Sequence, residues 1–400
     1  LHVLPLAEAR RLLQNLTDRI EIPSETVPLS DCLGRVLSKS VVSNEDLPPF
    51  DRSAVDGFAV ISRETFGASA SQPSLLHHAG EVKMGERAGF SLNLGECASV
   101  WTGGELPQNA DAMVMLEEAE RIPGDFVAVE SSSSPGRHVV FRGDDVRAGE
   151  TVLPAGRAIH AREVGLLAAL GIAEVSVFAR PRVKILSTGD ELVDPLQTPL
   201  GGQLRDVNGP MLLAACKEAG ADATFCGIAP DREEELFLAL REAAASCDLL
   251  LLSGASSAGA KDTAARCLER VGEVAFHGLA LKPGKPAFGG SIGRTIVIGL
   301  PGHPAAAYLV FHALARPALA ALCGTNLQER TQVAILTQAL PSNHGREELV
   351  PVRLLGGEAE PVALKSGLIS PLSRAQGYLK IPRDVEGIPQ GARVEIILFQ

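Results

Sequence analysis

The chain has 400 residues, 46% of them hydrophobic and 21% charged, with a formal net charge of −11. That balance fits a folded protein of several domains and excludes a disordered chain. It also argues against a general nucleic-acid binder, which would need a basic face.

Seven cysteines, at 32, 97, 216, 226, 247, 267 and 323, are scattered and never form a Cys-x-x-Cys pair. They read as reduced thiols, so a cytoplasmic location is expected. No apolar stretch is expected to approach the roughly 20 residues that cross a bilayer. Leu1–Ala9 lacks the basic start and apolar core of a secretory signal.

In chain order, Pro5–Leu16 carries Leu6, Ala9, Leu12, Leu13 and Leu16 at helical spacing behind a proline, which predicts a helix. Glu21–Val42 is β-like. Asn44–Val60 is a polar, proline-bearing loop that feeds a strand and sets Asp51, Ser53 and Asp56 close in sequence. From Val60 to Arg142 short strands alternate with Gly, Pro, Ser and Asn, the pattern of an all-β module. Its most distinctive loop is Thr102–Ala112. A helix is predicted over Ala161–Leu170, stopped by Gly171.

Beyond Ala173 the pattern becomes α/β. Four apolar runs, 183–186, 223–229, 248–252 and 295–298, each end in glycine, hydroxyl or carboxylate residues. Continuous apolar runs fit strands of a parallel sheet buried on both faces. Helices are expected over Gly209–Gly220, Arg232–Ser246, Thr263–Val271 and Ala305–Leu322. Right-handed crossovers put the strands' carboxyl ends on one edge, so the loops after them should converge. After Gly324, short strands at 333–340, 349–355, 360–364 and 392–399 predict a small terminal β domain.

The motifs in these loops are Pro-Pro-Phe-Asp-x-Ser-Ala-x-Asp-Gly at 48–57, Thr-Gly-Gly-x-Leu-Pro at 102–107, Arg-Gly-Asp-Asp-Val at 142–146 and Ser-Thr-Gly-Asp-Glu-Leu at 187–192. They continue with Gly-x-Leu-Arg-Asp-x-Asn at 202–208, Lys-Pro-Gly-Lys-Pro at 282–286, Leu-Pro-Gly-His-Pro at 300–304 and Gly-Arg-Glu-Glu at 345–348. In this order and spacing the sequence resembles the molybdopterin molybdenumtransferase family, the type that includes the E domain of gephyrin.

The resemblance implies a multidomain α/β plus β protein. Residues 1–43 and 147–173 would form a discontinuous α/β linker domain, 44–146 a β-rich module, 174–325 an α/β domain like the molybdopterin adenylyltransferases, and 326–400 a β barrel. It implies a transferase that takes adenylylated molybdopterin and molybdate and releases AMP with the molybdenum cofactor. It further implies a homodimer with a site shared between subunits, and a molybdopterin adenylyltransferase as a possible partner. Neither nucleic acid nor membrane is expected as a partner.

The resemblance gives functional weight to Asp56, Asp145, Glu191, Asp231 and Asp262. Glu191 and Asp262 are expected to hold Mg²⁺, which takes oxygen ligands. Asp190 and Asp231 have an alternative as caps of the next helix. Lys282 and Lys285, on a stiff Pro/Gly loop, suit phosphate and molybdate. Further substrate contacts are expected at Thr102, Ser187, Thr188, Gly189, Asp190, Asn208, Ser257, Pro301, Gly302 and His303. Asn208 could equally cap its helix, and Thr102 could occupy an ordinary turn. Arg346 and Ser370 match positions that help hold molybdate.

Three residues depart from the family pattern. Ala255 stands where glycine is usual, His303 where asparagine is, and Ala306 at the serine position. An imidazole, unlike an amide, gains a donor and a charge on protonation, so His303 is expected to make oxyanion binding pH-dependent unless it turns away. A non-catalytic scaffold of the same fold is the alternative reading. A nucleotide pyrophosphatase sharing only the α/β domain is a weaker rival.

Overall fold

The structure is a computed structural model that describes residues 3–254, 263–363 and 368–399. At its centre is a six-stranded sheet in the order 222–229, 182–188, 249–253, 295–300, 288–292, 273–277. The first four strands are parallel, as the apolar runs predict. Leu249, Leu250, Leu251 and Leu252 are all fully buried. The period of two explains why none of them is polar. Leu249 and Leu251 face one helical layer, and Leu250 and Leu252 face the other.

Helices α1 (Leu6–Thr17), α3 (Asn208–Glu218), α6 (Pro304–Val310) and α7 (Arg316–Leu322) cover the first face. Helices α4 (Glu233–Ala244) and α5 (Thr263–Val271) cover the second. Although α1 is remote in sequence, it packs Leu6, Ala9, Leu13 and Leu16 into this core.

The last two strands, 273–277 and 288–292, run antiparallel to their neighbours and were not anticipated. The sequence hides the second of them: Phe288-Gly-Gly-Ser-Ile carries two glycines, which weaken a strand signal. The glycines fit the packing, since a Cβ on Gly290 would stand 1.9 Å from the Glu273 carbonyl oxygen.

Against the expectation that no apolar stretch is long enough, Pro304–Leu322 is a helical run of 19 residues with mean hydropathy 1.4, long and apolar enough to cross a membrane. In this fold 78% of its most apolar window is buried inside the protein, and a helix wrapped by its own core is apolar all round. A π turn at Phe311–Ala315 interrupts it, and there the Ala313 carbonyl accepts the Arg10 Nε–H at 2.6 Å.

Residues 57–129 form a mixed six-stranded sheet in the order 112–115, 57–60, 96–100, 74–82, 126–129, 119–122. The C-terminal strands close on themselves. Strand 347–355 pairs with 358–361, which pairs with 331–336, then 393–398, then 377–381, and 377–381 returns to 347–355. This is a five-stranded barrel filled by Leu336, Val352, Leu379, Ile381 and Ile396. Strand Ser24–Pro28 pairs antiparallel with Glu174–Phe178, over a small core shared with helix α2 (Ala161–Ala169).

Helix α2 is anchored by Glu163, only 2% exposed. Its carboxylate accepts hydrogen bonds from Arg157 (2.8 Å), Arg162 (3.0 Å) and the His160 amide (3.0 Å). The Arg157 bond leads in holding its pKa down to about 2. A carboxyl with a depressed folded pKa stabilises the fold above its unfolded value and loses that contribution as pH falls toward the folded one. Glu163→Gln should therefore be less stable at pH 7 and show a flatter decline between pH 4.5 and 2 than the parent. Urea midpoints across that window test this, and parallel declines would refute it.

Candidate functional site

The four parallel strands end at Thr188, Ala229, Ser253 and Leu300, all on one edge. Parallel register aligns Ser187 with Ser253 and Ser253 with Leu300, so the loops that follow must meet. The approach is close. Gly254 has φ +92°, and a Cβ there would lie 2.0 Å from the Thr188 carbonyl oxygen.

Hydrogen bonds then stitch the loops together. Ser187, fully buried, donates its hydroxyl to Asp206 Oδ2 at 2.7 Å. Asp206 Oδ1 accepts the Gly209 amide at 3.1 Å and so caps α3. Asn208 opens α3 without capping it. Its Nδ2 donates to Ser253 Oγ and to the Gly302 carbonyl, each at 2.7 Å. One side chain thereby ties three loops. Asn208 Oδ1 is buried with no hydrogen-bond partner among the described residues, a free acceptor at the site edge.

Asp231 is not the cap of α4, whose N-cap is Arg232. Its Oδ1 accepts the Thr188 hydroxyl at 2.6 Å, and its amide donates to Asp190 Oδ1 at 3.1 Å. No helix follows Asp190; the short strand Leu192–Val193 does. Asp190 and Glu191 are both exposed. The Glu191 carboxylate folds back over Gly189, with Oε2 2.8 Å from where a Cβ on Gly189 would sit. Pro301 is buried, while Gly302 and His303 are exposed at the mouth of α6. The His303 side chain makes no capping bond, and Ala306 is buried in α6.

The loop 282–286 lies between this domain and the barrel, because Leu281–Lys282 pairs with Glu347–Glu348. Lys282 Nζ forms an ion pair with Glu348 at 2.8 Å, and Lys285 is exposed. Arg346 is half-buried beside this pairing, and Ser370 is exposed. Ala255, Ser257 and Asp262 lie outside the described residues. Among those described, no three His, Cys, Asp or Glu side chains group as a metal site.

The β module gathers its own three motifs. Asp56 Oδ1 accepts both the amide and the hydroxyl of Thr102, each at 2.7 Å. Those two bonds, the hydroxyl's first, hold its carboxyl below the usual range. Ser53 exchanges backbone bonds with Gly103 and Gly104, and Asp51 Oδ1 accepts the Arg142 amide at 2.8 Å. Asp145 is exposed and held by its amide bond to the Leu47 carbonyl. Asp46 was not singled out from sequence. It binds the Ala148 amide and Arg142 Nε (2.6 Å), and these hold its pKa down. Its signal was the acidic residue just before Pro48-Pro49.

Comparison with known proteins places this arrangement. Family models described as "MoeA N-terminal region (domain I and II)", "Probable molybdopterin binding domain" and "MoeA C-terminal region (domain IV)" match residues 4–171, 184–321 and 333–399. The chain belongs to the molybdopterin molybdenumtransferase (MoeA) family. Molybdopterin molybdenumtransferase 2 of Mycobacterium tuberculosis is 35% identical over 383 residues, covering 93% of this chain and 94% of that protein. A crystal structure of the molybdopterin biosynthesis MoeA protein from Pyrococcus horikoshii OT3 superposes with TM-score 0.89 at 33% identity, covering 99% of this chain and 100% of that one. A second Pyrococcus structure of a molybdopterin biosynthesis MoeA protein gives TM-score 0.85 at 36% identity, over 100% of this chain and 99% of that one.

Within this MoeA framework Asn208 is the tie whose loss should be felt most. Asn208→Ala breaks two hydrogen bonds and leaves Ser253 Oγ and the Gly302 carbonyl without it. A loss of about 1–3 kcal/mol in unfolding free energy is expected. Chemical denaturation measures it, and an unchanged midpoint would show that the loops hold without this tie.

Proposed function

We infer that this protein is a molybdopterin molybdenumtransferase, cleaving the phosphoanhydride of adenylylated molybdopterin, releasing AMP and passing molybdenum from molybdate to the dithiolene. The convergence of Thr188–Glu191, Asn208, Asp231, Ser253 and Gly302 at one sheet edge carries this reading. Such an edge is where open α/β sheets bind phosphate-bearing ligands. The activity inferred is also the one for which the relatives of Mycobacterium tuberculosis and Staphylococcus aureus are named.

On this reading the backbone of 187–190 and 301–303 orients the substrate, the Ser187 and Thr188 hydroxyls fix Asp206 and Asp231 beneath it, and the free Asn208 oxygen accepts one of its N–H groups. Lys285 and Lys282 draw molybdate toward Arg346 and Ser370. Carboxylates are oxygen donors of the kind Mg²⁺ takes, so the exposed Glu191, with Asp262, would hold that ion. Mg²⁺ when bound supplies charge to offset the phosphoanhydride oxygens. Asp56, Thr102 and Asp145 belong to the separate module and act across a homodimer interface. The reaction takes place in the cytoplasm, with a molybdopterin adenylyltransferase as a candidate partner supplying the substrate.

The direct test incubates the protein with adenylylated molybdopterin, Mg²⁺ and molybdate and follows AMP. Absence of molybdate-dependent AMP release would overturn the reading. Subunit sharing is tested by mixing Asp56→Asn with Glu191→Gln, each inactive alone. Heterodimers should regain one working site of two, whereas a site wholly within one subunit would regain none.

Lys285 is exposed on its loop, so it contributes charge and little core. Lys285→Ala should raise the molybdate concentration needed for half-maximal AMP release by about tenfold or more, with little change in melting temperature. A large stability loss with unaltered molybdate dependence would refute its role.

A further inference from the structure

At the other end of α3 lies a cleft that this chemistry does not use. It has a volume of 860 Å³ and runs between the 34–36 and 156–162 segments, the start of the central sheet and the 323–330 connection to the barrel. It is far from the candidate site. Arg180 and Pro181 on its wall precede strand Arg182–Thr188, so it opens at the amino-terminal edge of the parallel strands. Glu218–Gly220 on its wall end α3, whose first residue is Asn208. Eleven helical residues put about 16 Å between the two ends.

The lining holds six arginines, Arg35, Arg157, Arg162, Arg180, Arg316 and Arg330, against two glutamates, Glu218 and Glu329. In a chain of net charge −11 such a concentration is local and specific. Several of the six are engaged elsewhere. Arg35 binds Glu25 and the Phe178 carbonyl, and Arg157 and Arg162 share Glu163. Glu329 is taken by Arg10. Arg180 reaches the Gly220 carbonyl only at 3.4 Å, where it offsets the carboxyl end of α3. Arg330 is exposed, on the same wall. Glu218 and the α3 terminus oppose an anion; the arginines outnumber them.

His312 adds an unused donor. It lines the cleft at 5% exposure within the π turn, a feature frequent at functional sites. Arg316 can only donate, so at 3.4 Å its guanidinium assigns His312 Nδ1 as acceptor and leaves the hydrogen on Nε2. Nε2 is buried with no hydrogen-bond partner among the described residues. Burial, with Arg316 second, pushes the His312 pKa down to about 3, so the ring is neutral at ordinary pH. The half-buried rings of Phe178 and Phe399 complete the wall. Guanidinium forks match phosphate oxygens, and a flat aromatic face matches a base. The volume fits a small organic ligand and far exceeds a lone phosphate ion.

We propose that this cleft is a second ligand site, separate from the strand-end edge, that binds a nucleoside diphosphate or triphosphate through Arg180, Arg316 and Arg330 with the base against Phe178 or Phe399. The site stands whether or not the transferase reading does, because it uses none of the same residues.

Isothermal titration of the full chain with ADP, pyrophosphate and adenosine tests it. ADP should bind, pyrophosphate more weakly and adenosine hardly at all. The double variant Arg180→Gln/Arg330→Gln should lose about tenfold or more in ADP affinity with an unchanged melting temperature. Lys285→Ala, at the strand-end edge, should keep it. No ADP binding by the parent at about 1 mM would overturn the proposal. So would ADP binding abolished by Lys285→Ala and untouched by the double variant. Pyrophosphate binding as tight as ADP would overturn the base contact. A dimer that dissociates in the double variant, in a protein that ignores ADP, would show that a second copy fills the cleft instead.

Discussion

Burial of three parallel strands on both faces is the constraint on which the rest of this molecule depends; the fourth, 222–229, is an edge strand, largely exposed or half-buried. Val183, Ile185, Leu249, Leu251, Ile296 and Ile298 face one helical layer, and Leu186, Leu250, Leu252 and Val297 face the other. A strand so enclosed carries polar groups mainly where it leaves the sheet; within strand 182–188 the half-buried Lys184 escapes this by reaching Ser246 Oγ at 2.7 Å. Ser187, Thr188 and Ser253 stand at those exits, and each polar group there meets a partner from another loop. Buried hydroxyls without such partners would cost a kilocalorie or more each, about 1–3 kcal/mol. The same hydrogen bonds that satisfy the sheet ends therefore shape the edge where a substrate would lie.

The β module solves a different problem by different means. Its motif carboxylates sit in exposed loops anchored at a few buried residues such as Leu106 and Val146, and backbone pairing sets their arrangement. Ser53 with Gly103 and Gly104, Leu106 with Asp51, and Gly143 with Pro48 bring three distant segments into one patch. Asp56 is then held below the usual carboxylate range by its two bonds from Thr102, the hydroxyl's first, and no cation is needed for it. A carboxylate committed in this way stays charged and oriented well below neutral pH.

Charge is distributed to match. The chain is acidic overall, yet cations concentrate on the 282–286 loop and, more densely, at the amino-terminal edge of the sheet. The barrel contributes to both places, through Glu348 against Lys282 and through Phe399 and Arg330 on the cleft wall. Closing five strands on themselves leaves no free edge, so the barrel acts as a rigid wall against which both loops are positioned.

The local pattern of residues determined much of this. The continuous apolar runs at 249–252 and 295–298 specify strands enclosed on both faces, whereas the run at 223–229, with Thr224 and Cys226 exposed, becomes an edge strand of the same sheet. Helical spacing in Leu6–Leu16 and Ala161–Leu170 specifies amphipathic helices, and the motif loops at 187–192, 202–208 and 300–304 had to meet once the strands were parallel. What the residues left open concerns pairing between distant parts. Nothing in α1 says that its apolar stripe would cover a sheet beginning at residue 182, since any apolar surface would serve. The strand 288–292 was obscured by glycines whose need appears only when a neighbouring strand's carbonyl stands 1.9 Å from the missing Cβ. Asn208 looked like a cap or a ligand, and only the meeting of three loops made it a tie while Asp206 took the cap. The arginine cleft was invisible because its six cations come from five separate segments. Periodicity and local spacing record what each segment must bury, whereas long-range pairing is set by which buried surfaces and hydrogen-bonding groups find each other in three dimensions.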